Sequence, residues 1–375
     1  MSRPRPVPVI ALAAILLSLL GACGAKQAKQ TVVIGADLSL SGDDRQVGQI
    51  YRNALQLAVS QYNASNDKQR IELRVRDDQS EPAIAMSQVT TFEADKKVSA
   101  IIIGPCDACV ASIAPLARSS ATPIISLAPA DLPPADSGAG TALFKLAPNV
   151  TDDAAEMVTT MGAEKIHRLA IVAGSDAYGG EAAAAMTASA SDGRITVTGT
   201  VDPSSVTKTT LHDADGVAIF APPADADTAL SNLHAAGFTG TVYLDAAAAA
   251  GLFLDGSVDF KATYLTFPGI MAADDMVAAT PAQADQKRWF DNYTSQYGEY
   301  AGPSAFAADA LQLIADAAQV AGTKQTKLRS VIETDQFDGL SGTIRFTPQN
   351  HSGLTARSLT MLQASDGRWH TTSVS

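Results

Sequence analysis

Short apolar runs alternate with longer amphipathic stretches along most of this chain. Thr31-Val32-Val33-Ile34-Gly35 is rich in β-branched residues and predicts a strand. After the polar Asp43-Asp44-Arg45 loop, Tyr51, Leu55, Ala58 and Tyr62 fall on one helical stripe, with Ile50, Ala54 and Leu57 beside it. Asn63 to Asp67 closes that helix, and Ile71, Leu73 and Val75 alternate as a strand. Glu81-Pro82 opens a helix to about Asp95, since proline fits a first helical turn. Val98 to Ile103 is continuously apolar, the pattern of a parallel strand buried on both faces. Gly104-Pro105 breaks it, a helix follows to about Ser119, and Pro123-Ile124-Ile125-Ser126 predicts the next strand.

This order, β-α-β-α-β-α-β, is that of a parallel sheet wrapped by helices. It restarts after residue 150. Strands are predicted at Arg168 to Ala173, Ile195 to Val201, Val217 to Phe220 and Thr241 to Leu244, with helices from Gly180 and over Asp225 to Ala236. The Pro/Gly/Ala/Asp-rich section Ala128 to Gly140 predicts a loop between the halves. Two long helices follow, over Asp285 to Tyr297 and Ala305 to Ala321, the second with Leu311, Ile314, Ala315 and Ala318 on one face. Alternating strands around Gly342 to Phe346 and Ser358 to Leu362 end the chain. The fold class is therefore α/β with two sheets. Open α/β sheets bind ligands beyond the carboxyl ends of their strands, which places a site in a cleft between two lobes.

The first residues do not belong to either half. Arg3 and Arg5 precede a 12-residue apolar run, Val9 to Leu20, and Leu20-Gly21-Ala22-Cys23 follows. That is the pattern of an export signal, and a cysteine directly after the small pair marks a lipoprotein signal. The run is too short for an ordinary transmembrane helix, which needs about 20 residues. Residues 1–22 are expected to be removed, Cys23 to carry the lipid that tethers the protein to the extracytoplasmic face of a membrane, and residues 23–30 to form a polar tether. Removing Arg3 and Arg5 takes the formal charge from −12 to −14, which leaves no basic footprint for nucleic acid.

Apart from Cys23, the cysteines are Cys106 and Cys109, spaced C-x-x-C. In an exported protein such a pair reads first as a local disulfide; redox chemistry would need a thiolate poised at a helix start. No second CxxC or neighbouring histidine supports zinc. The chain carries no HExxH, Walker A or GxSxG motif, and its five histidines stand singly. The expectation is no enzyme and no cofactor.

Ile34-Gly35-Ala36-Asp37-Leu38-Ser39-Leu40-Ser41-Gly42 resembles the opening of the type I periplasmic binding proteins, in the leucine/isoleucine/valine-binding branch of ABC importer receptors. The resemblance continues in order through Gly48, Leu57-Ala58-Val59, Asp77-Asp78-Gln79-Ser80, Val98 to Pro105, and Pro123 to Ser126. It goes on through Ala177-Tyr178-Gly179, Phe290, Tyr293, Tyr297-Gly298, and Ala308-Asp309-Ala310, with Ala308 where tyrosine is usual. Phe337 to Phe346 and Asp366 to Trp369 complete it. The resemblance implies two Rossmann-like lobes joined by three hinge crossovers, near Ala147–Val150, Phe267–Ile270 and Leu340–Thr343. The N-terminal lobe would hold 31–149 and 268–340, and the C-terminal lobe 150–267 and 341–375. It implies a small polar ligand and an ABC permease as partners.

In that family a helix N-terminus after "GP" holds the ligand carboxylate, because free N–H groups and the helix dipole favour an anion. A serine assists four residues after the glycine. Counted forward that position is Ala108; counted back from Pro115 it is Asp107. An ionised Asp107 either faces the cleft and repels a carboxylate, or caps the helix. The threonine of the next loop falls on Ala130, or on Asp131 with a shift of one. Val47 replaces an aromatic residue. Tyr178 is kept, and either contacts ligand or shapes its turn. The acid that holds the ligand ammonium falls near Asp245, which is otherwise a strand-end carboxylate in solvent. The resemblance thus implies ligand-binding positions at all seven residues. Acids at several of them favour a cationic or neutral polar ligand over a branched-chain amino acid.

Overall fold

A computed structural model describes residues 29–134, 136, 138, 140–250, 260–334 and 336–372. The expected signal segment 1–22, Cys23 and most of the expected tether lie outside the described residues. The first sheet consists of β1 (Gln30–Leu38), β2 (Gln69–Asp77), β3 (Val98–Gly104), β4 (Ile124–Ser126) and β5 (Leu143–Lys145). All pair in parallel, in the order β2-β1-β3-β4-β5. Helices α1 (Arg45–Ser65), α2 (Pro82–Ala94) and α3 (Asp107–Ala117) connect the first four strands. Every residue of β3 is buried, as its unbroken apolar run requires of a strand covered by helices on both faces.

The second sheet follows α4 (Val150–Ala163). It is built from β6 (Arg168–Ala173), α5 (Ala177–Asp192), β7 (Thr196–Val201), β8 (Gly216–Phe220), α6 (Pro223–Ala235), β9 (Thr241–Leu244) and β10 (Ala262–Pro268). The chain then runs through α7 (Pro281–Tyr297), α8 (Ser304–Ala321) and α9 (Gln325–Ile332). These helices return to the first lobe: Gln325 donates to Val98 O on β3 at 2.8 Å, and the Tyr297 hydroxyl to Asn53 O on α1 at 2.8 Å. The hairpin β11 (Gln336–Gly339) and β12 (Gly342–Arg345) leads back to β13 (Leu359–Ser365) and β14 (Arg368–Thr371). The second sheet is ordered β14-β13-β10-β9-β8-β6-β7, with β13 antiparallel to β10 and β14 antiparallel to β13.

The chain crosses between lobes after β5, after β10 and at the β11–β12 turn. Two of the crossings are held by buried charges. The Lys145 ammonium, fully enclosed, donates to Pro129 O, Pro148 O and the Asp131 carboxylate at 2.7, 2.6 and 2.8 Å. The same Asp131 carboxylate accepts from Val150 N at the start of α4, at 3.1 Å. At the third crossing Asp309, projecting from α8, accepts from Leu340 N, Ser341 N and Ser341 Oγ at 2.7, 2.8 and 2.5 Å. Gly339 must lack a side chain there, since a Cβ would stand 2.6 Å from the Asp309 carboxylate.

Six elements escape the sequence pattern, β5, α4, β10, α9, β11 and β14, the last two falling in segments that only the resemblance marked. β5 is three residues long, too short for period-2 alternation to register. α4 begins Val150-Thr151-Asp152-Asp153, whose acids suit a helix start but hide the apolar stripe.

Candidate functional site in the cleft

The loops leaving the carboxyl ends of both sheets face each other across a cavity of about 310 Å³. The first lobe contributes Asp43, Asp44 and Val47 after β1, Pro105 to Ala108 after β3, and Leu127 and Pro129 after β4. The second contributes Asp153 on α4, Asp176 and Tyr178 after β6, Pro222, Pro223 and Asp225 after β8, and Ala246, Ala247 and Ala249 after β9. Phe306 and Pro303 close the floor from α8. Six aspartates line this space, and no lysine, arginine or histidine does among the described residues.

Local structure fixes these side chains. Tyr178 sits in the first turn of α5, whose N-cap Asp176 accepts from Gly179 N at 2.7 Å. Gly179 is needed because a Cβ there would lie 2.1 Å from Gly174 O. Buried Tyr178 donates its hydroxyl to Asp245, which is itself fully enclosed and also caps the Ala246–Ala248 turn through Ala248 N at 3.2 Å. Asp153 is 2 % exposed. One of its oxygens accepts a long bond from Ala246 N at 3.3 Å; Oδ1 has no protein partner and the residue borders the cavity. In the first lobe, Tyr51 donates to Leu127 O at 2.9 Å, so its hydroxyl proton is committed.

The electrostatics are one-sided. Burial pushes Asp245 up from 3.8 to about 7, against the Tyr178 hydrogen bond that pulls it down. Burial likewise raises Asp107 to about 7, opposed by the Ala130 N–H and by Lys145. Asp153 is raised well above the usual range by burial and then by Asp245. Lys145 is the nearby cation, but all three of its protons are spent on the hinge. The cleft therefore holds carboxyl groups that either keep a proton or await a positive partner.

Four of the seven expected positions, Val47, Asp107, Ala108 and Tyr178, line the cavity. Ala130, Asp131 and Asp245 do not. Ala130 turns its N–H to the Asp107 carboxylate at 2.7 Å, and Asp131 is occupied by Lys145. Asp245 stands behind Tyr178 rather than in solvent. Asp107 is the first helical residue rather than the cap: Cys106 caps α3, its sulfur accepting from Cys109 N at 3.0 Å. Cys106 and Cys109 form a disulfide. Among the described residues no cluster of three or more His, Cys, Asp or Glu could hold a metal, and no helix is long and apolar enough to cross a membrane. Sequence reasoning missed five of the six aspartates, Asp43, Asp44, Asp153, Asp176 and Asp225, and the wall made by Ala246, Ala247 and Ala249. The acids of Asp152-Asp153 at a helix start after a crossover were the available signal; the alanines offered none.

The model of the periplasmic binding protein family matches residues 31–368. No curated protein matches the chain by sequence. Among solved structures, an extracellular ligand-binding receptor from Rhodopseudomonas palustris HaA2 is 21% identical, with a TM-score of 0.80 over 91% of this chain and 99% of its own. The leucine-binding protein LivK from Thermotoga maritima is 18% identical, with a TM-score of 0.75 over 91% and 98%. An ABC transporter solute-binding protein from Rhodopseudomonas palustris BisB5, in complex with 3,4-dihydroxybenzoic acid, is 14% identical, with a TM-score of 0.75 over 91% and 95%. The chain belongs to the type I periplasmic binding proteins of the leucine/isoleucine/valine-binding-like branch, a family of extracytoplasmic solute-binding proteins and not of enzymes.

Proposed function

We propose that this chain is a solute-binding lipoprotein that captures a small, cationic or neutral polar ligand between its lobes and delivers it to an ABC importer. Cys23 carries the anchor in this reading, and multiple acyl chains would hold it stably where one would not. The lobes divide as 31–149 with 268–340 and 150–267 with 341–375, and the seven predicted positions surround or support the ligand. The observation that carries the reading is a cavity lined, among the described residues, by six aspartates and no basic side chain. Leucine and dihydroxybenzoic acid, the ligands in the names of two structural neighbours, both bear a carboxylate that these acids oppose.

A thermal-shift panel tests the ligand class. A ligand at about 100 times its dissociation constant should stabilise the protein by roughly 2.7 kcal/mol. Stabilisation by leucine or valine alone would overturn the cationic or neutral assignment. Cys23→Ala should move the protein from the membrane to the soluble fraction, and continued membrane attachment would remove the anchor. The second reading is an envelope sensory or interaction lipoprotein that kept the fold. The loss of serine and threonine at Asp107/Ala108 and Ala130 favours it, and unchanged solute uptake after deletion of the partner permease would select it.

A further inference from the structure

The acids of the cleft form two groups: Asp153 on the second lobe, and Asp107 with Asp44 on the first, which Asp176 approaches from the second. On the second lobe Asp153, whose enclosed Oδ1 has no protein partner, lines the cavity with Tyr178, and Asp245 stands directly behind Tyr178. On the first lobe Asp107 and Asp44 flank Tyr51, whose hydroxyl is turned away to Leu127 O. A single positive charge would neutralise one group and leave the other exposed to its neighbours. The apolar part of the lining comes from prolines, alanines and Phe306. A carboxylate has no basic side chain to meet, because Lys145 is saturated by the hinge. The α3 N-terminus, where an anion would otherwise lodge, carries Asp107 itself.

We propose that the ligand is an aliphatic diamine without a carboxylate, one ammonium held at Asp153 and Tyr178 on the second lobe, the other at Asp107 and Asp44 on the first, with its methylenes against the apolar walls. This rests on the solute-receptor reading above and specifies its ligand. Binding one charged end on each lobe gives the ligand a differential affinity for the closed arrangement, which is what hinge closure requires. Buried carboxylates favour ammonium groups because each Coulomb interaction strengthens as water is excluded.

The test is calorimetric titration of the full chain, purified in detergent, with the straight-chain diamines from propane to hexane, butylamine, lysine and leucine. The expected result is tightest binding at one diamine length, with butylamine weaker by about tenfold or more, the loss of one ammonium contact. Asp153→Asn and Asp107→Asn should each weaken the best diamine by a similar factor while the ligand-free melting temperature does not fall. If Asp153→Asn fails to fold, the chain-length optimum and the Asp107→Asn variant still decide. Equal affinity for butylamine and every diamine would overturn the two-point site. Tighter binding of lysine or leucine than of any diamine would overturn the ligand class and leave the receptor reading standing. Absence of binding by the whole panel overturns the diamine. Mass spectrometry of small molecules released on denaturing the purified protein then separates the cases. A released non-amine solute preserves the receptor reading, and no released solute removes both.

Discussion

Asp309 at the hinge and Asp153 at the cleft are both enclosed aspartates, 1 % and 2 % exposed, yet the fold treats them oppositely. Asp309 receives three donors within 2.8 Å, from two backbone N–H groups and one hydroxyl. Asp153 receives one at 3.3 Å and keeps an oxygen without a partner. A buried carboxylate without donors is costly, so the fold supplies them where the charge is structural. Asp37 shows that an orphaned oxygen is not enough to mark a site. Both its oxygens lack partners, but it lines no described cavity; burial and the neighbouring Asp78 push it to about 8, so it stays protonated near neutral pH. The cleft residue differs in that it lines a cavity as well as keeping an oxygen without a partner.

The contrast breaks most visibly at the hinge. Asp309→Ala strands three donors at the third crossover and should destabilise the protein by about 3 kcal/mol. Thermal or urea unfolding should show it, as a fall of several degrees. Asp153→Asn should leave the ligand-free protein as stable or slightly more so, since it replaces a poorly satisfied charge. Equal losses for the two variants would mean that Asp153 is structural after all.

Acidity sharpens the same contrast. Asp309 and Asp37 titrate at about 6 and about 8 in the folded chain against an ordinary 3.8. Between the unfolded and folded values the native state binds more protons, so stability falls as pH rises through that window and levels off above it. The ligand-free protein should therefore melt at a lower temperature near pH 8 than near pH 5. Asp37→Asn should flatten the upper part of that slope, raising stability at about pH 8 by on the order of 1 kcal/mol and changing little at about pH 4. A melting temperature that rises between pH 5 and 8 would show that these carboxyls are ionised at little cost. Binding of a cation should run the other way, weakening as Asp107 and Asp245 take up protons below about 7.

Much of this was legible in sequence, and for physical reasons. Val98 to Gly104 declares a buried parallel strand by composition, and Thr241–Leu244 falls where its apolar run predicts. Tyr178-Gly179 could be placed because close backbone approach at Gly179 tolerates no side chain. What stayed hidden depends on partners distant in sequence. Asp131 and Asp107 look equivalent as cleft acids until Lys145 is seen to claim one of them. Asp245 looks like a strand-end carboxylate until Tyr178, 67 residues earlier, is seen to cover it. Ala246 to Ala249 suggests only composition until the turn capped by Asp245 presents it to the cavity. Periodicity reports which face of an element is buried, and not what meets it there.

The smallest expected effect lies between the cysteines. The Cys106–Cys109 disulfide closes a very short loop around Asp107, so chain entropy credits it with no more than about 2 kcal/mol. The Cys106 sulfur also caps α3 through Cys109 N, a role that a serine oxygen can fill. Cys106→Ser with Cys109→Ser should therefore cost less than Cys106→Ala with Cys109→Ala, the difference being the cap, about 1 kcal/mol. Both pairs loosen the residue that faces the first-lobe end of the cleft and leave the Asp309 crossover untouched. Ligand affinity should fall in both, while the pH dependence of unfolding set by Asp309 and Asp37 stays unchanged. If the serine pair alters that pH dependence, the cleft and the hinge are coupled through α3 rather than separate regions.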